Sequence, residues 1–371
     1  MDSITFELSP EMLESVLQRV FKVPSATPVK FSIKALKPGA GNPTSLGVYR
    51  VWGTAQLESQ VLPFTVVVKH LANGLPYMDA SAPTHWNYWR REMEFFESPL
   101  VERIPASIGF PEYLGQTTLN DGSALFWNTD LGDLNKSKWT WEHCIDAVKL
   151  VAELNSVDSS DLLQFDWLNR SQVAGWAKLH KDWDSFDSVY PELLASVLRN
   201  PHLGEAFNHV NSYLNSYDFI GGLLAAGQRS FVHGDFNLNN LVPVDNQEVR
   251  LTALDWQLAG EARLGTEVAA IFNTAVEHGV CAADRESFDW LCLAYTQRFN
   301  ELNPLNQVEL NDVRLAAAAM GYFIVVNMGF FFAKLTQHES KEERNAYIDG
   351  FVESLTAGVA VLYAKVIAQL T

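Results

Sequence analysis

The chain has 371 residues, which is enough for one large or two modest domains. Hydrophobic residues make up 47% of it and charged residues 19%, a composition typical of a packed globular protein that excludes a mainly disordered chain. The net charge of −17 disfavours nucleic acid and anionic membrane surfaces as partners, because both require basic patches.

The cysteines and the first residues bear on the cellular compartment. Cys144, Cys281 and Cys292 are few, odd in number and widely spaced. This pattern predicts reduced thiols, no zinc site and a cytoplasmic location. Residues Met1–Ile4 are not a basic segment leading into a long apolar run, so no signal peptide is predicted.

The N-terminal third predicts a helix followed by a small sheet. Ser9 is a candidate N-cap with Pro10 at the first helical position, and apolar residues then recur at helical spacing. Four strand-like runs follow, and one helix interrupts them, at Trp86–Phe96. The order predicts an antiparallel sheet with a helix against it. The runs are Lys30–Leu36, Gly47–Ala55, Leu62–Leu71 and Ala124–Trp127.

A glycine-rich loop separates the first two predicted strands. Gly39 and Gly41 would let bare backbone N–H groups approach an anion, and Ser45 would add a hydroxyl donor. An ordinary hairpin loop has the same composition, and the spacing departs from a strict G-x-G-x-x-G. A phosphate-binding loop and a plain hairpin loop therefore both fit this stretch.

The third predicted strand ends in a lysine that is expected to point inward. Strand alternation puts Val67 and Lys69 on one face, and a buried ammonium group needs a partner. On the helix Trp86–Phe96, periodicity puts Glu92 on the apolar face and Glu94 on the other. We therefore expect a Lys69–Glu92 ion pair. The alternative is that Lys69 guards an exposed strand edge.

Beyond about residue 131 the pattern is mainly helical, which predicts two lobes, 1–129 and 130–371, with a hinge near Asn128–Asp130. Residues Leu315–Ala333 carry no charge and are long enough to span a bilayer. Asn327 and two glycines interrupt this run, and basic residues do not cluster on one flank. The segment is predicted to be a buried helix, with no membrane partner.

Two short motifs in the second lobe carry the chemistry. The stretch Phe231–Leu241 contains His233, Gly234, Asp235 and Asn240 between strand-like runs, and Asp255 ends the next such run. Carboxylate and amide oxygens are ligands that Mg²⁺ accepts together with phosphate oxygens. An isolated H-x-D turn is common, because Asp and Asn favour turns. The ordered set of strand-like runs and acids favours a nucleotide site.

These motifs resemble the H-G-D-x-x-x-x-N and D-x-[Q/E] signatures of the aminoglycoside phosphotransferase and choline kinase-like superfamily, which has the protein-kinase fold. The resemblance implies an α+β, two-lobed fold, with a small antiparallel-sheet lobe and a large helical lobe. It implies that Asp235 accepts a proton and that Asn240 and Asp255 hold Mg²⁺. Lys69, braced by Glu92, would bind the nucleotide phosphates.

Other residues have supporting or open roles. His233 would either contact the transferred phosphate or fix its loop through backbone carbonyls. Thr266 is expected to be the N-cap of the next helix and Glu267 its first-turn acid, with a structural role for Glu267. Asn155 stands where relatives often have a histidine, and a structural role is expected there too.

The expected function is a small-molecule kinase that transfers the γ-phosphate of ATP or GTP to a hydroxyl group. Acids and aromatic residues in 165–184 and 277–290 would suit a cationic or sugar-like acceptor, although aromatic residues at helical spacing also suit a core. The protein would act as a monomer or homodimer. The alternative is a nucleotide-binding pseudokinase or scaffold. A protein kinase is disfavoured, because D-F-G and A-P-E motifs are missing and the gap from Asp255 to Glu267 is short.

Overall fold

The computed structural model describes residues 6–36, 44–73, 80–132, 139–174, 217–244, 250–335 and 358–371. In chain order, the elements of the first part of the chain are α1 Pro10–Phe21, β1 Thr27–Leu36, β2 Ser45–Leu57, β3 Gln60–Leu71, α2 Arg91–Glu97, β4 Ile108–Gly109, β5 Tyr113–Thr118 and β6 Ala124–Thr129. Five of these strands form an antiparallel sheet of order β1-β2-β3-β6-β5, with the two helices beside it.

The predicted N-terminal helix is confirmed. The Ser9 hydroxyl accepts a hydrogen bond from the Met12 N–H at 3.4 Å, and Pro10 begins α1. Leu13 and Leu17 on the buried face of α1 join the apolar core of the sheet. The four predicted strands are also present. Strand β5 was not predicted, because its pairing with β6 shifts register between Tyr113 and Gly115 and breaks the alternation.

The predicted helix Trp86–Phe96 is shorter than expected, since α2 begins at Arg91. Arg91 is fully buried and contacts backbone oxygens in place of a carboxylate. Its guanidinium donates to the carbonyls of Trp86 at 2.9 Å, Trp167 at 2.6 Å and Gln257 at 3.0 Å. It also reaches the carbonyls of Pro83 and His85. Turns at 83–90 bring those carbonyls to the guanidinium, and this replaces the first predicted helical turn.

Arg91→Met is expected to destabilise the fold by about 2–5 kcal/mol, because it leaves several buried carbonyls without a donor. The matched control is Arg90→Met, one residue earlier, where the partly exposed guanidinium donates to Gln116 at 3.1 Å. That change should cost less than about 1 kcal/mol. Free energies of unfolding from urea titrations measure both effects. Equal losses for the two variants would contradict the structural role of Arg91.

The rest of the chain is mainly helical, with two small sheets. Strands β7 and β10 pair antiparallel, and the second sheet has the order β4-β9-β8. The loops after β7 and β9 carry His233–Asp235 and Asp255, and β8 and β10 follow these loops. In chain order the elements are α3 Trp141–Asn155, α4 Tyr217–Ala225, β7 Arg229–Val232, β8 Leu241–Pro243, β9 Leu251–Ala253, β10 Gly260–Arg263, α5 Val268–Glu277, α6 Arg285–Leu302, α7 Leu310–Leu335 and α8 Val359–Leu370.

The uncharged segment Leu315–Ala333 lies in α7, which packs against α8. Ala316–Ala319 are fully buried, and Tyr322 and Phe323 join the same apolar core. For these side chains the prediction of a buried helix is confirmed. Among the described ranges, no helix has both the length and the apolar character needed to cross a bilayer.

An ion pair connects the residues that follow β6 to the five-stranded sheet. Arg50 Nε on β2 lies 2.9 Å from Asp130 Oδ2, and the Arg50 guanidinium also donates to the Gly132 carbonyl at 2.7 Å. These contacts fix the chain where the sheet ends and the helical part begins. The division into lobes 1–129 and 130–371 stays a prediction.

Candidate active site

Lys69 lies between two carboxylates that come from different parts of the chain. Its Nζ is 2.7 Å from Glu92 Oε2 on α2 and 2.9 Å from Asp255 Oδ1, which follows β9. Burial alone would lower the pKa of Lys69, but the negative charges of Asp255 and Glu92 raise it overall. Lys69 therefore stays charged, and the edge-lysine alternative does not apply.

Glu92 also joins α2 to the loop after Asp255. Its Oε1 accepts a hydrogen bond from the Trp256 N–H at 3.2 Å. Directly beside this contact, the Phe95 ring stacks on the Trp256 ring with centroids 4.5 Å apart and planes 9° apart. The apolar face of α2 thus packs on the loop that carries Asp255. This explains why Glu92 and not Glu94 faces Lys69.

Asp255 has a backbone conformation that is rare for a residue other than glycine, with φ 63° and ψ 66°. Its side chain is 43% exposed. Although desolvation works in the opposite direction, the positive charge of Lys69 lowers the pKa of Asp255. The group is therefore an ionised carboxylate at the mouth of the site. Such strained backbone is common where side-chain direction matters for function.

Asp235 is held by two asparagine side chains of its own loop. Asn237 Nδ2 donates to Asp235 Oδ1, and Asn240 Nδ2 donates to Asp235 Oδ2, both at 2.7 Å. Burial and the negative charge of Asp255 raise the pKa of Asp235 to about 7, against the effect of the two amides. The predicted proton acceptor and Asn240 are therefore in direct contact.

His233 fixes the loop and its two ring nitrogens are both used. The Asp235 N–H donates to Nδ1 at 3.2 Å, so Nε2 carries the proton and donates to the Leu254 carbonyl at 3.0 Å. Burial lowers the pKa of His233 to about 4, which keeps the ring neutral. These contacts favour the loop-fixing interpretation. A second tie joins the same loops, because the Leu254 N–H donates to the Asn240 carbonyl at 2.8 Å.

Gly234 is required by the close approach of the backbone at Leu258, in the 3-10 turn Trp256–Leu258. It has φ 85°, and a Cβ atom there would lie 2.2 Å from the Leu258 carbonyl oxygen. Its N–H donates to Glu267 Oε1 at 2.9 Å. The side chain of Glu267 therefore bonds the loop that carries Asp235 and makes no capping bond to α5. Helix α5 does begin here, at Val268, but its N-cap residue is Glu267 and not Thr266. The capping roles predicted for Thr266 and Glu267 were therefore wrong, while the structural role of Glu267 is supported.

Asn155 connects this carboxylate to two further elements. Its Nδ2 donates to the Phe231 carbonyl at 2.9 Å and to Glu267 Oε2 at 3.4 Å. Its Oδ1 accepts from the Tyr295 hydroxyl on α6 at 2.8 Å. All of these groups are buried. Asn155 thus connects α3, α6 and β7, the strand before the loop that carries Asp235. These contacts agree with the structural role expected for it.

Glu267→Gln is expected to remove a pH-dependent contribution to stability. Burial raises the pKa of Glu267 from 4.5 to about 7. Because the folded protein binds this proton more tightly than the unfolded chain, stability falls as the pH rises from about 4.5 to about 7 and is level above that, by about 3 kcal/mol at most. The amide cannot ionise, so the variant should lose this part of the slope and keep the part that comes from Asp235, whose pKa is also raised.

Urea titrations between pH 4.5 and pH 8 measure the slope for both proteins. Glu277→Gln is the control, because Glu277 is exposed at the other end of α5. It should keep the slope of the unmodified protein. A slope in Glu267→Gln as large as that of the unmodified protein would contradict the raised pKa of this carboxyl.

The glycine-rich loop can be placed in part. Gly39 and Gly41 lie outside the described residues, and their predicted phosphate contacts stay a prediction. Ser45 is the first residue of β2. Next to it, Thr44 is fully buried, and the Gln257 side chain donates to its hydroxyl. The end of the loop is therefore anchored to the chain two residues after Asp255.

The residues present fit a magnesium ion by their donor chemistry. Asn240 uses its amide nitrogen on Asp235, and within the described ranges nothing donates to its Oδ1. Asp255 Oδ2 is likewise without a hydrogen bond there, since Lys69 contacts Oδ1. One amide oxygen and one carboxylate oxygen remain, and Mg²⁺ is commonly held by one or two protein oxygens plus phosphates.

Several supporting residues were not predicted from the sequence. Asn237 holds Asp235, Gln257 anchors the glycine-rich loop, and Arg91 and Tyr295 brace the site from α2 and α6. Asn237 lies inside the H-G-D-x-x-x-x-N motif, and its short polar side chain two residues after Asp235 was the available signal. In the suggested acceptor surface, Phe165 and Trp167 are buried in the core, and residues 175–184 lie outside the described ranges.

Comparison with known proteins identifies the fold. No protein-family model matches the chain, and no curated protein sequence matches it. Among solved structures, the GDP complex of an aminoglycoside 2′-phosphotransferase-IIIa variant aligns with TM-score 0.54 at 12% identity, covering 94% of this chain and 98% of that one. An ethanolamine kinase from Plasmodium vivax aligns with TM-score 0.51 at 11% identity, covering 88% of this chain and 82% of that one.

The chain has the two-lobed kinase-like fold. The fold class expected from the resemblance is therefore confirmed, with an antiparallel-sheet lobe and a helical lobe. In this kinase-like fold, Lys69 and Glu92 come from the sheet lobe, whereas Asp235, Asn240 and Asp255 come from the helical lobe. The likeness concerns the fold, and the roles of these five residues stay predictions that rest on their geometry.

Proposed function

We propose that this protein transfers the γ-phosphoryl group of ATP or GTP to a hydroxyl group of a small molecule. The observation that carries the proposal is the contact of Lys69 with both Glu92 and Asp255, at 2.7 and 2.9 Å, across the two lobes. This lysine bridge occurs in a fold shared with a GDP-bound aminoglycoside phosphotransferase and an ethanolamine kinase. Phosphoryl transfer depends mainly on positioning and charge neutralisation, and a lysine held in this way supplies both.

Separate residues of the chain would bind the nucleotide phosphates and the metal ion. Lys69 would bind the α- and β-phosphates of the nucleotide as their counter-ion, and Glu92 would keep the Lys69 ammonium group in place. The loop with Gly39, Gly41 and Ser45 would add hydrogen-bond donors to the phosphates. Asn240 and Asp255 would hold Mg²⁺. When bound, the ion neutralises charge that develops on the phosphate oxygens.

Asp235 is the proposed proton acceptor. The acceptor's hydroxyl oxygen forms a bond to the γ-phosphorus, the bond from phosphorus to the β–γ bridging oxygen breaks, and the hydroxyl proton passes to the Asp235 carboxylate. Asn237 and Asn240 hold both oxygens of this carboxylate, at 2.7 Å each, so its orientation is set before the acceptor arrives. The neutral His233 contributes by positioning the loop and takes no proton in this scheme.

Nucleotide binding and transfer test the proposal in two steps. First, thermal shifts with ATP and with GTP are measured in Mg²⁺ and in EDTA, using Lys69→Met as the negative control. A stabilisation that requires Mg²⁺ and is lost in the variant is expected. Labelled nucleotide is then incubated with a panel of hydroxylated metabolites and antibiotics, where transfer to at least one compound is expected.

Each step can overturn the proposal. Absence of any Mg²⁺-dependent nucleotide binding would contradict both the kinase hypothesis and the pseudokinase hypothesis. Tight nucleotide binding without transfer to any member of a broad panel would favour the pseudokinase or scaffold. The cationic or sugar-like character of the acceptor, the cytoplasmic location and the monomeric or homodimeric state are also part of the proposal, and they rest on the sequence alone.

A further inference from the structure

The five-stranded sheet has one face that carries the Lys69 side chain. Residues that pair directly across antiparallel strands share a face, and so do residues two apart along one strand. By this register Val67 and Lys69 on β3 share a face with Phe126 and Asn128 on β6. Val48 on β2 pairs with Lys69 and belongs to the same face. These five residues are called the lysine face below.

On one side of Lys69 this face of the sheet is covered. Leu71, two residues further along β3, and its partner Ala124 are both buried in the larger apolar core, together with residues of the helical lobe. Phe126 is also fully buried and packs against a phenylalanine of α2, with ring centroids 5.7 Å apart. A nucleotide whose phosphates contact Lys69 therefore has no room to extend its base in this direction.

On the other side of Lys69 the lysine face is apolar and open. Val48 and Val67 are both partly exposed there. Arg50, the partner of Val67 on β2, has its guanidinium turned to Asp130 and to a backbone carbonyl of the helical lobe. Ligand sites are mostly apolar with a few polar groups at their edge. The base of a nucleotide held at Lys69 would therefore lie against the two valines.

Asn128 lies at the edge of this apolar surface with an unused hydrogen-bond acceptor. It is 6% exposed, and within the described ranges no group donates to its buried Oδ1. Buried polar atoms without a partner are rare in folded proteins. The spacing of residues and strands puts the Cα atoms of Asn128 and Lys69 about 8 Å apart. The ribose that joins a base to its phosphates spans a distance of this order.

The Asn128 amide can turn toward a base without losing a bond from its Oδ1. The terminal torsion of an asparagine side chain is soft, so rotation brings either polar atom of the amide to the open side. An amide presents one acceptor and one donor next to each other. It therefore complements a ligand edge that has a donor beside an acceptor.

We propose that Asn128 binds the hydrogen-bonding edge of the nucleotide base, with Oδ1 accepting from a base N–H and Nδ2 donating to the neighbouring base acceptor. Adenine offers this pair through its 6-amino group and N1, and guanine offers it through N1–H and O6. Asparagine is a common partner of adenine for the same reason. The inference rests on the proposed function, because it concerns the base of the same nucleotide. It adds a specificity residue that lies outside both sequence motifs.

The first test changes the base and leaves the protein unmodified. Calorimetric titrations in Mg²⁺ compare ATP and GTP with purine riboside triphosphate, which keeps the purine ring, the ribose and the phosphates but has no N–H on its base. The better of ATP and GTP is expected to bind about tenfold or more tightly than this analogue, because the analogue leaves the buried acceptor unpaired. Preference for ATP would identify the 6-amino group as the donor, and preference for GTP the N1–H. Equal binding of all three would overturn the proposal.

The second test removes the amide with Asn128→Leu, which keeps a similar volume. The three triphosphates should then bind within about twofold of one another. Magnesium tripolyphosphate, which has no base, should bind the variant and the unmodified protein equally, because Lys69 and the proposed metal ligands are unchanged. If tripolyphosphate loses as much affinity as ATP or GTP, Asn128 acts through the fold and the proposal is overturned. If the variant does not fold, the comparison of bases on the unmodified protein still decides.

Asn169→Leu is the matched control. Asn169 is 4% exposed and also has a buried side-chain atom, Nδ2, without a partner in the described part of the chain, but it lies in the helical lobe. This variant should keep the full preference for ATP or GTP over the analogue. A loss of preference as large as that in Asn128→Leu would contradict a specific role for Asn128.

The two proposals fail in different ways. If no triphosphate binds in Mg²⁺, the proposed function fails and this inference fails with it. If the triphosphates bind in a Mg²⁺-dependent way without any preference for a base, only the role of Asn128 is refuted, and the proposed phosphoryl transfer is unaffected.

Discussion

Asp235→Asn is expected to lower kcat for phosphoryl transfer by about 10²- to 10⁴-fold, because an amide cannot accept the hydroxyl proton. The dissociation constant of the magnesium nucleotide should stay within about threefold, since Asp235 is assigned to the acceptor and Asn240 and Asp255 to the metal. Asparagine has nearly the size of aspartate, and its one oxygen can keep the bond from Asn240 while the bond from Asn237 is lost. The loop held by His233 should therefore keep its shape. Single-turnover rates and equilibrium nucleotide titrations separate the two effects.

A suitable control for this variant is Asp121→Asn in the sheet lobe. Asp121 Oδ1 also accepts two hydrogen bonds, from the Ser123 N–H at 2.9 Å and the Ser123 hydroxyl at 2.6 Å. The same chemical change is therefore made to a carboxylate of similar bonding but outside the site. Its kcat should be unchanged. Full transfer by Asp235→Asn, or a loss of nucleotide binding in it, would contradict the assigned role.

Asp255→Asn should have its main effect on binding. In Mg²⁺ the nucleotide should bind about tenfold or more weakly, because even residues that only support a metal ligand commonly change metal affinity by about 10- to 100-fold. In EDTA the effect should vanish or reverse, since the substitution removes a negative charge near the triphosphate and leaves Lys69 paired with Glu92 alone. The opposite behaviour in the two buffers distinguishes loss of a metal ligand from general damage to the site.

Asp161→Asn is the control for that experiment, because Asp161 also pairs with a basic side chain, at 2.6 Å from Arg103, but on the surface. Its nucleotide affinity should not change in either buffer. If Asp255→Asn weakens binding equally in Mg²⁺ and in EDTA, Asp255 does not act through the metal. Its contact with Lys69 would then be the whole of its contribution.

Local signals in the sequence predicted a large part of the fold and of the candidate site. The Ser9 cap needs only neighbouring residues, and the inward direction of Lys69 follows from strand alternation. Glu92 was chosen by helical periodicity, although the first turn of its helix was wrongly placed. Asp235, Asn240 and Asp255 were found because their spacing along the chain is itself the signal.

The supporting contacts could not be predicted, because they join distant parts of the chain through groups that carry no sequence signature. Arg91 binds backbone carbonyls, which every residue possesses, so nothing in the sequence marks its partners. Asn155 and Tyr295 are separated by 140 positions and meet only through the packing of α3 on α6. Glu267 had the composition of a helix start, but the Gly234 N–H is a better partner for its carboxylate in the folded chain.

The backbone carbonyls that surround the Arg91 guanidinium have a consequence for how the proposed kinase activity would be controlled. Its bonds connect the start of α2 with Trp167 and Gln257, which belong to the helical lobe. Protein kinases are switched by moving the helix that carries the lysine's glutamate partner. Swinging α2 outward here would strip several buried carbonyls of their donor at once. We therefore expect α2 to stay in place, with Glu92 against Lys69. The rate of the proposed transfer would then depend on the supply of substrates and not on movement of this helix.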